Sequence, residues 1–307
     1  MTKQEIIEYL SGGDDTQLFR RSSQIRQSVH GSTTFLRGLI EFSNRCVCDC
    51  LYCGIRASNS KVERYDLTLE EVLCAAQKAY QKGYRSVVLQ AGEKRNILNT
   101  HRVTEMVTKI KERYGKEFSI TLSCGVQSHA VLEEWKEAGA DRYLLRIESS
   151  SKELFQRIHP PEIDYTERCN AISTLKELGY ITGSGMMIGL PWQTIENLAD
   201  DLLWLQHKEI DMCGMGPYVE HSDAPLSLYT SEYSNPERVA LTLRCIALLR
   251  IMMPHINIAS STALGTLDAE ARKRAITIGA NVMMPCMTPQ RARGSYNLYE
   301  GKTFQNI

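Results

Sequence analysis

The run Trp135-Lys136-Glu137-Ala138-Gly139-Ala140-Asp141-Arg142-Tyr143-Leu144-Leu145-Arg146-Ile147-Glu148 decides how this chain folds. Its first residues end a helix. Glycine just past a helix takes the left-handed cap at no steric cost, so Gly139 marks a joint, and Tyr143-Leu144-Leu145 follows as a compact apolar strand. The unit recurs. Lys82-Gly83-Tyr84 precedes Ser86-Val87-Val88-Leu89, Leu178-Gly179-Tyr180 precedes Ile181, and Ile278-Gly279-Ala280 precedes Val282-Met283-Met284. Thr68 with Glu71 forms a capping box for the helix that ends at Gly83. Strands near Asp211–Gly216 and Ile256–Ser261 lack the glycine but follow good helices, Thr194–His207 and Pro236–Met253, the second with Asn235 as its expected cap. With Phe35–Ser43 as the first, strands begin near residues 35, 85, 118, 141, 181, 210, 256 and 280. Strands alternating with helices call for parallel βαβ units, and eight of them point to a closed (βα)8 TIM barrel; six units plus accessories is the alternative. Residues 1–34 read as a helical segment, broken at Ser11–Asp14, that packs on a barrel of residues 35–307, with no linker tract between them.

Bulk properties narrow the function. At 307 residues, with 36 basic and 36 acidic side chains, no net field draws nucleic acid or membrane. The N-terminus has no apolar run of a secretory signal, and the most apolar stretch, Ile246–Met253, is interrupted by Arg250 and too short to span a bilayer. A reducing, cytoplasmic setting is expected, with the ten cysteines as thiols.

Four of those ten lie within eight residues, in Arg45-Cys46-Val47-Cys48-Asp49-Cys50-Leu51-Tyr52-Cys53-Gly54. Cys46, Cys50 and Cys53 follow C-x3-C-x2-C with an aromatic before the last. Such a loop can turn three thiolates to one face of an iron–sulfur cube and leave one iron open. A structural zinc site wants a second C-x2-C or paired histidines, and none stands at that spacing. Cys48 reads as a bystander. In barrels of this kind chemistry sits at the C-terminal strand ends, and the unusual residues fall there. They include Gln90-Ala91-Gly92-Glu93, Ser123, Gly183-Ser184-Gly185-Met186-Met187, the hydroxyls of Ser261 and Thr262, and Tyr296 and Tyr299 beyond strand 8. Alternation sets Arg146 and Glu148 on one face of strand 4, where a buried charge pair is costly unless paired or bound to a ligand.

The cysteine spacing resembles the radical S-adenosylmethionine (SAM) superfamily. That resemblance implies that the open iron binds the amino and carboxylate groups of SAM, and that the reduced cluster cleaves SAM to methionine and a 5′-deoxyadenosyl radical. Gln90–Glu93 resembles the family's Gly-Gly-Glu segment, and the Met187 strand matches the one giving backbone contacts to adenine. Over Ser43 to about Lys302 the chain is similar to HydE-type [FeFe]-hydrogenase maturases. The matching segments are Gly54-Ile55-Arg56, Val88-Leu89-Gln90, Trp135–Arg146, Thr174–Tyr180, Gly189-Leu190-Pro191 and Leu298-Tyr299.

This second resemblance implies a maturase acting on a small iron–carbonyl–cyanide–cysteine complex. Its partners would be a reductant such as ferredoxin or flavodoxin, and other hydrogenase maturases. It also implies Cys46, Cys50 and Cys53 as ligands of a single [4Fe–4S] cluster. Gln90, Gly92, Glu93, Ser123, Arg146, Glu148, Arg168, Met187, Tyr296 and Tyr299 become cofactor contacts, with the two tyrosines also closing the cavity. Ser261 and Thr262 become substrate contacts. Departures stand at Trp192, where the family usually has glycine, and at Ile147 and Cys286, where polar residues are common. The extra C-terminal cysteines of an accessory cluster are missing. A methylornithine-synthase-like mutase and a biotin-synthase-like sulfur inserter share the machinery, but the six remaining cysteines form no second dense set. An iron–sulfur scaffold or zinc protein would leave the polar strand ends unexplained.

Overall fold

The computed structural model describes residues 1–302. Two helices lead: α1 (Lys3–Leu10), opened by a Thr2–Glu5 capping box, and α2 (Asp15–His30), capped by Asp14. The expected break at Ser11–Asp14 falls between them. α1 packs against α8 (Ile195–His207) and α9 (Asn235–Met252), and α2 lies on α9 and α11 (Ala269–Ile278).

Eight strand positions follow. β1 comprises Phe35–Leu36 and, after Arg37, Gly38–Ser43; β2 is Ser86–Ala91, β3 Ser119–Ser123 and β4 Arg142–Leu144. β5 runs as Ile181–Ser184 and Met187–Ile188, β6 as Met212–Cys213 and Gly216–Pro217, β7 as Asn257–Ile258 and β8 as Val282–Met283. Neighbours pair in parallel and in chain order, with Val87 opposite Ile120 and Leu122 opposite Tyr143. The ring closes where Phe35 and Leu36 pair with Val282 and Met283, and where Ala259 bridges to Val282. The eight-unit barrel is therefore the fold, and the six-unit alternative falls.

Alternation along each strand sorts its side chains. Val87, Leu89, Ile120, Leu122 and Tyr143 are fully buried outward, against Val72 and Ala76 of α3 (Leu69–Gln81), Val103 and Val107 of α4 (Ile97–Tyr114), and Leu132 and Trp135 of α5 (His129–Glu137). Each large apolar side chain so buried contributes about 2 kcal/mol before entropy is counted. Two further helices, α6 (Lys152–Ile158) and α7 (Tyr165–Glu177), fill the β4–β5 connection. The joint glycines at 83, 139 and 179 take φ of 82°, 113° and 72°. Gly279 does not: its φ is −170°. There the missing Cβ makes room for the Ser22 hydroxyl and Arg250 side chain, so the residue serves packing and not a left-handed cap. Ser234, not Asn235, caps α9; its N–H and hydroxyl donate to the Glu237 carboxylate at 2.7 and 2.6 Å.

Candidate active site

β1 ends in a loop held from several directions. The Asn44 amide donates to the Glu63 and Ser295 carbonyls (2.7 and 2.6 Å), and its oxygen accepts the Tyr65 N–H. The Arg64 guanidinium gathers four carbonyls, from Asn44, Ile55, Arg56 and Asn59, at 2.6–3.1 Å. Arg56 Nη1 donates to both carboxylate oxygens of Asp49 (3.0 and 3.1 Å). Gly54 N–H donates to the Leu298 carbonyl, so residues near the C-terminal end of the barrel also hold the loop. The long-range braces, Asn44 to Ser295 and Gly54 to Leu298, carry no sequence motif, because their partners lie more than 240 residues away.

Inside the loop, Cys46 Sγ accepts N–H groups from Glu93 and Cys48 at 3.3 and 3.4 Å. Cys50 is buried, and Cys46 and Cys53 are half-buried. Burial, with Cys46 next, pushes the Cys53 thiol up to about 12, so thiolates here need a cationic partner such as iron. Among the described residues no three His, Cys, Asp or Glu side chains converge tightly enough for a single metal ion. A four-iron cube takes each thiolate at a different iron, so its ligands must face a shared hollow and not a shared point. Amide donors at Cys46, the burial of Cys50 and the many-sided bracing of the loop suit that group.

Gly92 is what lets β2 reach the loop. A Cβ there would stand 2.5 Å from the Arg45 carbonyl and 2.7 Å from Cys46 Cβ. Glu93, 4% exposed, turns its carboxylate away from the barrel axis, accepting from Val126 N–H (2.8 Å) and pairing with Arg95 (2.7 Å). Its side chain is thus spoken for, and its backbone serves the cysteine loop, accepting Val47 N–H at 2.9 Å. Ser123 ends β3 opposite Gln90. The Gln90 amide donates to the Tyr296 hydroxyl (3.2 Å), and the Tyr299 hydroxyl bonds Thr262 (2.7 Å), so the segment after β8 is tied to the ends of β2 and β7. Ser261 caps α10 (Thr262–Leu267), accepting from Leu264 N–H, and stands where a side chain on Gly216 would go.

Arg146 and Glu148 do meet, but not by strand alternation: β4 stops at Leu144 and Glu148 takes a left-handed φ of 65°. Arg146 Nη2 stands 2.9 Å from Glu148 Oε2 and donates to the Met186 carbonyl. Arg168 is 7% exposed, not the solvated helix charge a lone arginine usually is; its Nη1 donates to the Arg146 carbonyl at 2.9 Å. Glu148 Oε2, Arg146 Nε and Arg168 Nε nonetheless lack a well-aligned hydrogen bond. Burial raises the Glu148 carboxyl, against the pull of Arg146 and Arg168. Its charge is felt at Cys53 and at Tyr52, so this cluster borders the cysteine loop. Asp201 on α8, fully buried, holds the next turn by accepting from Ser150 N–H and the Ser149 and Ser150 hydroxyls (2.5–3.3 Å).

Met187 N–H donates to the Glu148 carbonyl, while its side chain packs with Leu154, Ile158, Leu190, Tyr218 and Leu226. The space beside Gly183 is filled by Leu144 and Met212, and Gly185 touches the Gly214 carbonyl. Sequence reading also missed His159. Its Nδ1 meets the Phe155 carbonyl (2.9 Å), leaving Nε2 to accept the Tyr52 hydroxyl (3.3 Å). Burial, then Arg168, holds this imidazole neutral, down to about 3. Beneath the mouth, Arg37 is 8% exposed with Met212 Sδ as a 3.1 Å contact, and among the described residues no carboxylate forms an ion pair with it.

Comparison with known proteins agrees with this geometry. Residues 40–205 match the family model of the radical SAM superfamily. The chain is 41% identical over 306 residues to the [FeFe] hydrogenase maturase subunit HydE of Thermotoga maritima, covering 98% of this chain and 84% of that one. It is 26% identical over 274 residues to 3-methylornithine synthase of Methanosarcina barkeri, covering 89% and 75%. The crystal structure of methylornithine synthase superposes with TM-score 0.81 at 25% identity, over 92% of this chain and 82% of that one. HydG from Carboxydothermus hydrogenoformans superposes with 0.82 at 20% identity, over 98% and 71%, which speaks to fold alone. No helix among the described residues is long and apolar enough to cross a membrane. With a family model over more than half its length and a relative of this identity across nearly all of it, the chain belongs to the radical SAM superfamily and, within it, to the HydE-like hydrogenase maturases.

Proposed function

We propose that this enzyme binds one [4Fe–4S] cluster through Cys46, Cys50 and Cys53, and SAM above it, to act in assembly of the [FeFe]-hydrogenase diiron site. When bound, the reduced cluster supplies the electron that splits SAM into methionine and a 5′-deoxyadenosyl radical. The observation that carries the reading is the buried Arg146–Glu148–Arg168 cluster bordering the cysteine loop, whose polar atoms are left without aligned partners. Buried polar groups whose hydrogen-bonding capacity is incompletely met, here the two Nε groups and a Glu148 Oε2 held only by the ion pair with Arg146, favour a ligand that completes it. Glu148 would accept from a hydroxyl or ammonium of SAM, and Arg146 and Arg168 would hold its anionic end. Gly92 lets the β2 turn approach, Met187 supplies backbone beside the adenine, and Ser123 completes that wall. Tyr296 and Tyr299 exclude water from the mouth.

The substrate we favour is a small iron–carbonyl–cyanide–cysteine complex, an anion suited to the Arg37 end of the barrel and to Ser261 and Thr262 above it. A ferredoxin- or flavodoxin-type reductant, other hydrogenase maturases and a cytoplasmic setting complete the proposal. Anaerobic reconstitution should give close to four irons per chain, and dithionite with SAM should release 5′-deoxyadenosine. Cys50→Ala should abolish that product; tight zinc in place of iron would refute the cluster. Glu148→Gln should keep the iron while weakening SAM about tenfold or more, since a charged hydrogen bond contributes about 1.5–3 kcal/mol.

A further inference from the structure

Beside the Cys46 end of the loop the surface is apolar. Val47, Ile97 and Leu98 are 59, 62 and 79% exposed. Val47 N–H donates to the Glu93 carbonyl, which ties it to the turn that leads into α4, and Ile97 and Leu98 open that helix. Leu98 and Arg102 lie one turn apart on the helix. Arg102, Lys94 and Arg45 all pair with the single carboxylate of Asp66, at 2.8, 2.7 and 3.0 Å. Three cations on one anion leave this rim positive. On the other side of Ile97 opens a cleft of about 460 Å³ lined by Arg95, Thr100, Val126, Val131 and Ala171; Glu167 at its edge is paired with Arg95.

We propose that this face docks an acidic, ferredoxin-type electron-carrier protein. The inference rests on the cluster reading above, since Val47 is covalently next to the expected ligand Cys46. Exposed apolar anchors beside a cationic rim complement a small protein whose redox centre is ringed by carboxylates. The patch is small, as suits the weak, transient contacts of redox partners. One electron crosses: the carrier's iron–sulfur centre is oxidised by one electron and the cluster of the cysteine loop is reduced by one. No bond or proton moves at this face.

Leu98→Glu tests it. The residue is mostly exposed, and an acid in the first turn of a helix is favoured by the dipole, so folding should be kept. On the reconstituted full chain, ferredoxin binding measured by interferometry should weaken about tenfold, as for loss of a central contact with charge repulsion added. Ferredoxin-driven 5′-deoxyadenosine formation should fall with it, while dithionite-driven formation stays at the wild-type rate. Ile97→Glu should behave alike. Unchanged ferredoxin affinity, an equal loss with dithionite, or a loss confined to flavodoxin would each overturn the proposal. Should the wild type form no 5′-deoxyadenosine with dithionite, the catalytic reading fails, and the affinity comparison still decides the docking face.

Discussion

The cysteine loop and the Arg146–Glu148 turn border one site and are built in opposite ways. In the loop, backbone carbonyls are gathered by Arg64 and Asn59 and the carboxylate of Asp49 is clamped by Arg56. In the turn, three buried polar atoms go without aligned partners and Glu148 sits in a backbone region that costs a non-glycine residue about 1 kcal/mol or more. One region is a finished scaffold for something that must not move. The other stores unmet polarity for something that comes and goes. A cofactor bound for the life of the protein and one consumed at each turnover would ask for that difference.

The largest effect is expected where the cysteine loop meets the end of β2. Gly92→Ala would set a methyl against the Arg45 carbonyl and Cys46 Cβ, atoms of a braced backbone that cannot swing aside. Overpacking of this kind costs about 1–3 kcal/mol, and here the strain falls on the ligand loop. Iron content after reconstitution should drop well below that of the wild type. Full iron loading in Gly92→Ala would mean the loop is softer than its hydrogen bonds suggest.

A smaller effect separates the regions by pH. His159 supports the loop through Tyr52, and Asp201 supports the turn through Ser149 and Ser150. The His159 imidazole is depressed from 6.5 to about 3, so the unfolded chain binds its proton first; its contribution is present above pH 6.5 and lost as pH falls towards 3. Burial raises Asp201 from 3.8 to about 7, against the pull of its serine partners, so the folded chain holds that proton longer. Its contribution is greatest at low pH and shrinks as pH rises from 3.8 to 7. Differences from wild type isolate each group from Glu41 and Glu148, which shift in the same direction as Asp201. Between pH 4.5 and 6, denaturation midpoints of His159→Gln and Asp201→Asn should diverge from wild type with slopes of opposite sign, each up to about 1.4 kcal/mol per pH unit. A flat difference for either variant would show that its group titrates alike in the folded and unfolded chain.

What the sequence disclosed follows the same division. The barrel was legible because helix-to-strand joints are local: Gly83, Gly139 and Gly179 mark them by a backbone need that only nearby residues set. The ligand spacing was legible for the same reason. Gly279 looked identical and was not, because its constraint comes from Ser22 and Arg250, far off in the chain. Arg168 drew notice through the resemblance alone, since nothing local distinguishes a buried arginine from an exposed one. The braces Asn44–Ser295 and Gly54–Leu298 join the first and last units of the barrel, far apart in sequence, and leave no periodic trace. The hold of Val126 N–H on the Glu93 carboxylate comes from the next unit of the barrel and was equally invisible.

The smallest effect concerns Trp192, which stands where relatives were expected to carry glycine. The structure gives this tryptophan a φ of 63°, so the loop keeps a glycine-like backbone with a bulky side chain on it. Its N–H donates to Glu232 at 3.1 Å, the ring meets Tyr229 edge-on at 4.8 Å, and Arg157 lies 5.5 Å above it. Ring contacts of that kind contribute about 0.5–1.5 kcal/mol, close to what the left-handed backbone costs. Trp192→Gly should therefore leave stability within about 1 kcal/mol of wild type, trading packing for ease of backbone. Trp192→Ala loses the ring and keeps the strain, so it should fall below Trp192→Gly by about 1 kcal/mol in chemical denaturation. If alanine equals glycine here, the backbone has relaxed out of the left-handed region, and the ring rather than the chain was shaping the loop.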